Sequence, residues 1–498
     1  MFFALLVIKL AGFLRDILVV KYFGLSALVD VYLYALVVPT LLYGVISYSF
    51  SNYFIPNYLL NKERFKENEN LIKQYAFYIL LIFIVLSFLL SLFFSLGLPE
   101  LLINLNSSLF ATESLKTTFV GFSQWVAVYF FFYSLATLFT ALLQAEHHYN
   151  SSIYPQILIP LTSVVLVWTA HNTLGLSSAV YGLAWGAVLS FALLLIFIKK
   201  RGLITFKIHF SDIARFHQAK NLREFWYLLI AFSFPSLMSF IDSNIAAFLG
   251  KGKLSALSYG QSLPAALSSI LTTALGISIL SHLSEWHANK KIPKIADAIQ
   301  RGIIFATLFL IPFCSFIIIF APHIVTILYQ RGNFTEADTL TVSQILQSHI
   351  FSVYLNFLLI LAYRVISSLE KNKFFLKLYL VLFLTKMILN YIFVNLWGIV
   401  GLPLASLVMN FAGTLAVYYY LNQHIPFLEA HFSKRFLNIL SATLGFGILF
   451  YFFQIPFANI KILNQFLIGV TCFLMMYSLF LLSIIKSLRS TTGGRQII

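Results

Sequence analysis

The chain has 498 residues, 60% of them hydrophobic and only 10% charged, with a formal net charge of +16 and a mean hydropathy of +0.88. Soluble domains carry roughly 45–50% apolar and roughly 25% charged residues, so this composition excludes an ordinary soluble protein and makes lipid the solvent for most of the chain. The two cysteines, Cys314 and Cys472, fall in separate apolar runs and build neither a disulfide framework nor a metal site.

A helix needs about 20 mostly apolar residues to cross a hydrocarbon core of about 30 Å. In chain order such stretches occur at 1–22, 26–56, 71–97, 117–144, 153–171, 177–199, 223–249, 255–283, 298–328, 340–368, 374–396, 399–423, 433–453 and 462–486. The prediction is an all-α integral membrane protein of about fourteen transmembrane helices. A transmembrane barrel would alternate apolar and polar residues, whereas the run at 77–94, FYILLIFIVLSFLLSLFF, is apolar on every face. The first stretch lacks a basic leader and a small-residue cleavage site and contains Lys9 and Arg15, so it reads as a retained helix rather than a secretory signal.

The 33 lysines and arginines fix an orientation. With the N-terminus in the cytoplasm, 23 of them fall on inner loops and the C-terminal tail, including Lys62, Arg64, Lys66 and Lys73, seven between Lys199 and Arg223, and Lys290, Lys291, Lys294 and Arg301. Six fall on the outside: Lys21, Lys116, Lys251, Lys253, Arg331 and Lys461. This asymmetry is the positive-inside rule, and it puts both termini in the cytoplasm. The basic balance then signals orientation and attraction to anionic lipid headgroups rather than nucleic acid. No loop is long enough for a soluble catalytic domain, so any chemistry belongs inside the helices.

Four cations, Lys9, Arg15, Arg364 and Lys386, lie within apolar spans together with Asp16, Asp30 and Asp242. Each charge at mid-bilayer costs about 2.5–3.5 kcal/mol on insertion scales, so these groups are expected to face a protein-lined, watered cavity or one another. The structural alternative is that Arg15, Asp16 and Lys386 snorkel to a helix end and that Arg364 closes a helix C-terminus. Lys9 and Arg15, six residues apart, read as one cationic strip suited to an anionic substrate such as a pyrophosphate. Asp30 and Asp242 read either as counter-ions to these bases, favoured for Asp30, or as carboxylates that take up H+ or Na+. His147, His148, His282 and His287 sit at membrane edges without ligand spacing, and no metal is implied. The glycine–lysine cluster at 250–253 is a short outer loop rather than a phosphate loop, so no nucleotide cofactor is implied and an ion gradient of H+ or Na+, the membrane potential or the substrate gradient would drive transport.

Shifting the sequence on itself by 225 residues places residues 35–56 over 260–281, with Pro39 on Pro264. This repeat implies two pseudo-symmetric six-helix lobes plus two C-terminal helices: an N-lobe over 1–200, a C-lobe with its preceding basic loop over 201–423, and helices 13 and 14 with a cytoplasmic tail over 424–498. GFLRDILVVKYFGLSALVDVY at 12–32 resembles the first-helix signature of the MviN/MurJ family of lipid II flippases, and LYQRGNFTEADT at 328–339 resembles the outer loop after its ninth helix. GIVGLPLASLV at 398–408 fits a glycine pattern common to the larger group that also contains multidrug exporters and O-antigen flippases.

The resemblance implies alternating access around a central cavity in the bacterial inner membrane. The substrate would be a polyprenyl-pyrophosphate-linked sugar, with a groove for its tail at the last two helices. It places Lys9 at a first-helix arginine position, which loses bidentate phosphate geometry, and matches Arg15 and Asp30 outright. Paired arginines expected after the second-helix proline are Tyr43 and Gly44, and an Asp-Arg pair in the eighth helix is Gly260-Gln261. The expected substrate-binding residues are therefore Lys9, Arg15, Asp30, Gln261, Arg364 and Lys386, with Asp16, Asp30 and Asp242 as ion-coupling or counter-ion groups. Alternatives are an ion-coupled exporter of small amphipathic compounds and a transport-dead scaffold for envelope-synthesis proteins. A membrane glycosyltransferase is disfavoured, because the longest outer loop, 98–116, offers only Glu100 and Glu113.

Overall fold

The computed structural model describes residues 2–66, 68–205, 222–289, 291–369, 373–428, 430–454 and 462–491. Lys207, Arg215, Lys220, Lys290, Lys371, Lys461 and Arg495 lie outside the described residues, as do the side chains of Arg223, His282, His287, Lys486 and Arg489. Among the described residues the regular structure is entirely helical. The helices are α1 (Phe2–Phe23), α2 (Ala27–Arg64), α3 (Glu69–Leu96), α4 (Leu98–Leu105), α5 (Glu113–Ala145), α6 (Tyr149–Ile153), α7 (Leu158–Leu174), α8 (Ser177–Lys200) and α9 (Leu222–Phe248). They continue as α10 (Lys253–Ala288), α11 (Ile292–Tyr329), α12 (Glu336–His349), α13 (Ser352–Ser368), α14 (Lys373–Trp397), α15 (Gly401–His424), α16 (Ala430–Gln454) and α17 (Ile462–Thr491). Ten stretches among the described residues are long and apolar enough to cross a membrane. α1 is not one of them, because Lys9, Arg15 and Asp16 interrupt it.

The chain divides into two compact units. One comprises Met1–Ser258, Arg331–Thr335 and Phe375–Leu384; the other comprises Tyr259–Gln330, Glu336–Phe374 and Thr385–Ile498.

In the first unit α5 is central, packed against α2, α3 and α8. Phe130, Phe139, Leu143 and other α5 residues are buried there with Tyr75 of α3 and Leu194 of α8. α7 and α8 meet through small residues. A Cβ on Gly182 would stand 2.3 Å from the Ser163 Cα, and one on Gly186 would stand 2.6 Å from the Ile159 Cα. This four-residue glycine spacing lets two backbones touch, and association in lipid rests on such packing because apolar burial gives no advantage between helices there. The Thr162 hydroxyl donates to the Gly182 carbonyl at 2.7 Å across that contact.

At the far end of α2, Glu146 at the α5 C-cap accepts from the Lys62 Nζ at 2.6 Å and from the Tyr58 hydroxyl at 2.8 Å. Burial alone would raise its carboxyl pKa, but these two hydrogen bonds and the Lys62 charge together hold it below the usual carboxylate value.

In the second unit α11 packs against α12, α13, α16 and α17. Phe316 of α11 meets Phe473 of α17 at 4.9 Å, and Phe450 of α16 meets Phe473 at 5.3 Å. These ring contacts fix the two C-terminal helices to α11 with dispersion and quadrupole terms that survive in an apolar solvent.

Candidate functional site

Six residues at 100° each put Lys9 and Arg15 about 120° apart around the α1 axis, so they do not form one strip. Lys9 is exposed and makes no ion pair among the described residues. Arg15 is half-buried, and its Nη2 and Nε both donate to the Asp16 Oδ1, at 2.6 and 3.0 Å. Arg15 and Asp16 keep 20% and 24% of their side-chain surface accessible in the middle of an apolar helix. Against lipid such exposure is costly, a cost that a watered, protein-lined face avoids.

Asp30 is fully buried and serves a different partner from the expected one. Its two carboxylate oxygens accept the backbone N–H groups of Gly252 at 2.5 Å and Ser255 at 2.7 Å. These are orphan donors at the N-terminus of α10, so Asp30 caps that helix from another segment. The same end of the unit joins the two most distinctive sequence motifs. The Asn333 N–H donates to the Lys21 carbonyl at 3.1 Å and its Nδ2 to the Tyr22 carbonyl at 2.6 Å. Gly332 has φ +61°, and a Cβ there would stand 2.1 Å from the Lys21 carbonyl oxygen. The Phe-Gly turn after α1 and the Arg-Gly-Asn loop after α11 are thus one packed structure. Asp242, on α9, is 6% exposed. Beside it in sequence, Asn244 accepts the Tyr34 hydroxyl at 2.5 Å and ties α9 to α2.

At Tyr43, one of the positions where the resemblance leads one to expect an arginine, the structure has one end of an aromatic ladder. The Tyr43 ring stacks on Tyr133 at 3.9 Å and 14°, and Tyr133 stacks on Tyr129 at 5.2 Å and 25°. The Tyr43 hydroxyl is 2.9 Å from the Thr137 Oγ1. Arg15 is an electrostatic neighbour of Tyr129 and of Tyr32, whose buried hydroxyl has no hydrogen-bond partner among the described residues. Tyr129, Tyr133 and Thr137 recur at four-residue steps, a signal readable from sequence once α5 is known to face α2.

In the second unit Lys386 does not snorkel. It is 4% exposed and its Nζ donates to the Ser406 hydroxyl at 2.9 Å, which in turn donates to the Leu402 carbonyl at 3.1 Å. The half-buried His349 is an electrostatic neighbour of Lys386 and ends α12, where the span from Glu336 to Ser368 breaks before α13. Broken helices with polar residues occur at membrane depth where they line protein or water. Arg364 is half-buried, with its guanidinium carbon 5.9 Å from the Tyr363 ring centre and its Nε without a hydrogen-bond partner among the described residues. Gln261 is half-buried. The glycine before it has a steric reason: a Cβ on Gly260 would stand 2.4 Å from the Ile345 Cγ2 and 2.7 Å from its Cβ. Ser406, His349, Tyr129 and Tyr133 were not singled out by the sequence.

Polar and charged side chains held among helices long and apolar enough to cross a membrane define a multi-pass membrane protein. Solved structures share the fold. A "Lipid II flippase MurJ, inward closed conformation" aligns over 97% of this chain and 99% of its own, with a TM-score of 0.74 and 21% identity. An inward-facing multidrug transporter of the MATE family aligns over 86% and 96%, with a TM-score of 0.65 and 13% identity. A "Probable lipid II flippase MurJ" of Buchnera aphidicola subsp. Baizongia pistaciae is 22% identical over 458 residues, covering 89% of this chain and 86% of the relative. The family profile described as "Lipid II flippase MurJ" matches residues 19–476, and the chain belongs to that family. The resemblance carried by residues 12–32 and 328–339 is borne out.

Proposed function

We propose that this protein moves lipid II, or a related polyprenyl-pyrophosphate-linked sugar, across a bacterial inner membrane by alternating access. Family membership supports the reading. The observation that carries it is the Arg15–Asp16 pair, an ionised and partly accessible group in the middle of an apolar helix. Such a group has a use only where a polar ligand or water enters the bundle. The sugar pyrophosphate is the part of the substrate that needs this route, since the polyprenyl tail is as apolar as the bilayer.

In this reading Lys9, Arg15, Gln261, Arg364 and Lys386 are the substrate-facing residues. Lys9 is the accessible cation and Arg15 exchanges Asp16 for pyrophosphate. Asp16 and Asp242 act as counter-ions or take up H+ or Na+, while Asp30 is a helix cap. A gradient of either ion, or the membrane potential, drives the cycle. In this reading the fourteen apolar stretches of the sequence are fourteen crossings, six in each lobe (1–200 and 201–423) plus two from the segment 424–498. The basic loops place both termini in the cytoplasm, and envelope-synthesis proteins are its natural neighbours.

The test is growth of bacterial cells depleted of their own lipid II flippase while this chain is expressed, with insertion checked in parallel. Rescue is expected, with loss on Arg15→Ala. Failure of a well-inserted protein to rescue contradicts lipid II as the substrate.

A further inference from the structure

We infer that the tyrosine ladder of the first unit is a specificity-determining subsite that receives a sugar ring of the transported headgroup; this deepens the flippase reading and rests on it. The ladder runs from Tyr43 on α2 to Tyr133 and Tyr129 on α5, with ring separations of 3.9 and 5.2 Å. Packing alone accounts for rings buried between two helices. It does not account for three further observations at this place. Tyr43 and Tyr133 are only half-buried. The neighbouring Arg15–Asp16 pair is partly accessible, an exposure that favours a wet face over a lipid-facing one. The Tyr32 hydroxyl, an electrostatic neighbour of both members of that pair, is buried and unpartnered among the described residues, a cost that a fully packed interface avoids.

The chemistry of this face selects its ligand. The tyrosines are neutral, so the ladder itself adds nothing specific to a pyrophosphate beyond what Arg15 offers. It offers flat faces with negative quadrupole potential, hydroxyl groups that donate and accept, and one carboxylate beside one guanidinium. A pyranose ring is complementary to this set: its axial C–H groups lie on the aromatic faces and its equatorial hydroxyls reach the polar groups. A lipophilic cation is the other ligand that aromatic faces attract. Against it, the Asp16 carboxylate is already neutralised by Arg15, so this face has no free negative charge to hold a cation.

The experiment compares two lipids bound to the purified full-length protein in nanodiscs: lipid II, and the same polyprenyl pyrophosphate without its sugars. Wild type should bind lipid II at least tenfold more tightly than the sugar-free lipid. Tyr133→Leu and Tyr43→Leu should lose about tenfold for lipid II and leave the sugar-free lipid unchanged, so that the preference disappears. Tyr43→Phe, which keeps the ring and removes the hydroxyl's contacts to Thr137 and Tyr133, should keep the preference; thermal unfolding of each variant identifies any that fail to fold. Equal wild-type affinity for the two lipids would overturn the subsite and leave the flippase reading standing. Parallel losses for both lipids in folded leucine variants, or tighter binding of tetraphenylphosphonium than of lipid II that the leucine variants abolish, would likewise overturn it. Wild type that binds neither lipid overturns both readings.

Discussion

Asp30→Asn separates a helix cap from a transport group. The carboxylate receives two backbone N–H groups at the start of α10, at 2.5 and 2.7 Å. An amide keeps one acceptor and turns an N–H donor toward the other, so one charge-assisted bond is lost and one buried donor is stranded, a cost of about 1.5–3 kcal/mol. The negative charge at the helix N-terminus is lost as well, worth up to about 2 kcal/mol where burial limits screening. Together the loss is about 2–5 kcal/mol. With an unfolding entropy of about 1 kcal/mol/K for a chain this long, the Tm should fall by about 2–5 °C, and by more if the first unit unfolds on its own. The assay is thermal unfolding of the purified protein in detergent, paired with rescue of flippase-depleted cells at permissive temperature. The expected result is a lowered Tm with rescue retained at 30 °C. An unchanged Tm with rescue abolished would refute the capping argument and return Asp30 to ion coupling.

Three other outcomes follow from the geometry. Gly186→Leu should drive α7 and α8 apart, because even a Cβ would stand 2.6 Å from the Ile159 Cα; size-exclusion of the solubilised variant should show aggregation, and a monodisperse peak for the variant would count against the packing. Glu146 has a lowered pKa in the folded state, so its contribution to stability is fully present above the ordinary carboxylate value of 4.5 and is lost as the pH falls through the lower, folded value. A Tm series from pH 7 to pH 3.5 should therefore show wild type losing its advantage over Glu146→Gln only in the acid range. Gln261→Arg should be tolerated and should tighten binding of the sugar-free polyprenyl pyrophosphate several-fold. Adding Gly260→Asp should sharply reduce folded protein, since the backbone-proximal atoms of Ile345 occupy that space.

The helices were legible in the sequence because lipid demands long runs that are apolar on all sides, and turns such as Gly24–Leu25 interrupt them. The chemistry was legible in part. Lys9, Arg15 and Asp16 stand out as charges in an apolar run, yet their spacing of six residues was read as a strip when helical geometry separates them by about 120°. Asp30 resembled a counter-ion because its acceptors lie 222 and 225 residues away in sequence, a partnership that only tertiary folding creates. Lys386 reads from sequence as either a substrate contact or a snorkelling residue, and its partner Ser406, 20 residues on, is visible only in the fold. The tyrosine ladder was overlooked because Tyr43 was noted for the arginine it replaces, while Tyr129 and Tyr133 sit in an aromatic-rich run where ring residues carry little contrast.

The most direct test of the central claim is the accessibility of lipid II at the outer face of the inner membrane. It is measured by a membrane-impermeant enzyme that cleaves its headgroup, in cells where this chain is the only lipid II flippase. The account expects cleavage with the wild-type chain and its loss with Arg15→Ala inserted at equal level. Intact, uncleaved lipid II accumulating in cells with a well-inserted wild-type chain would contradict it.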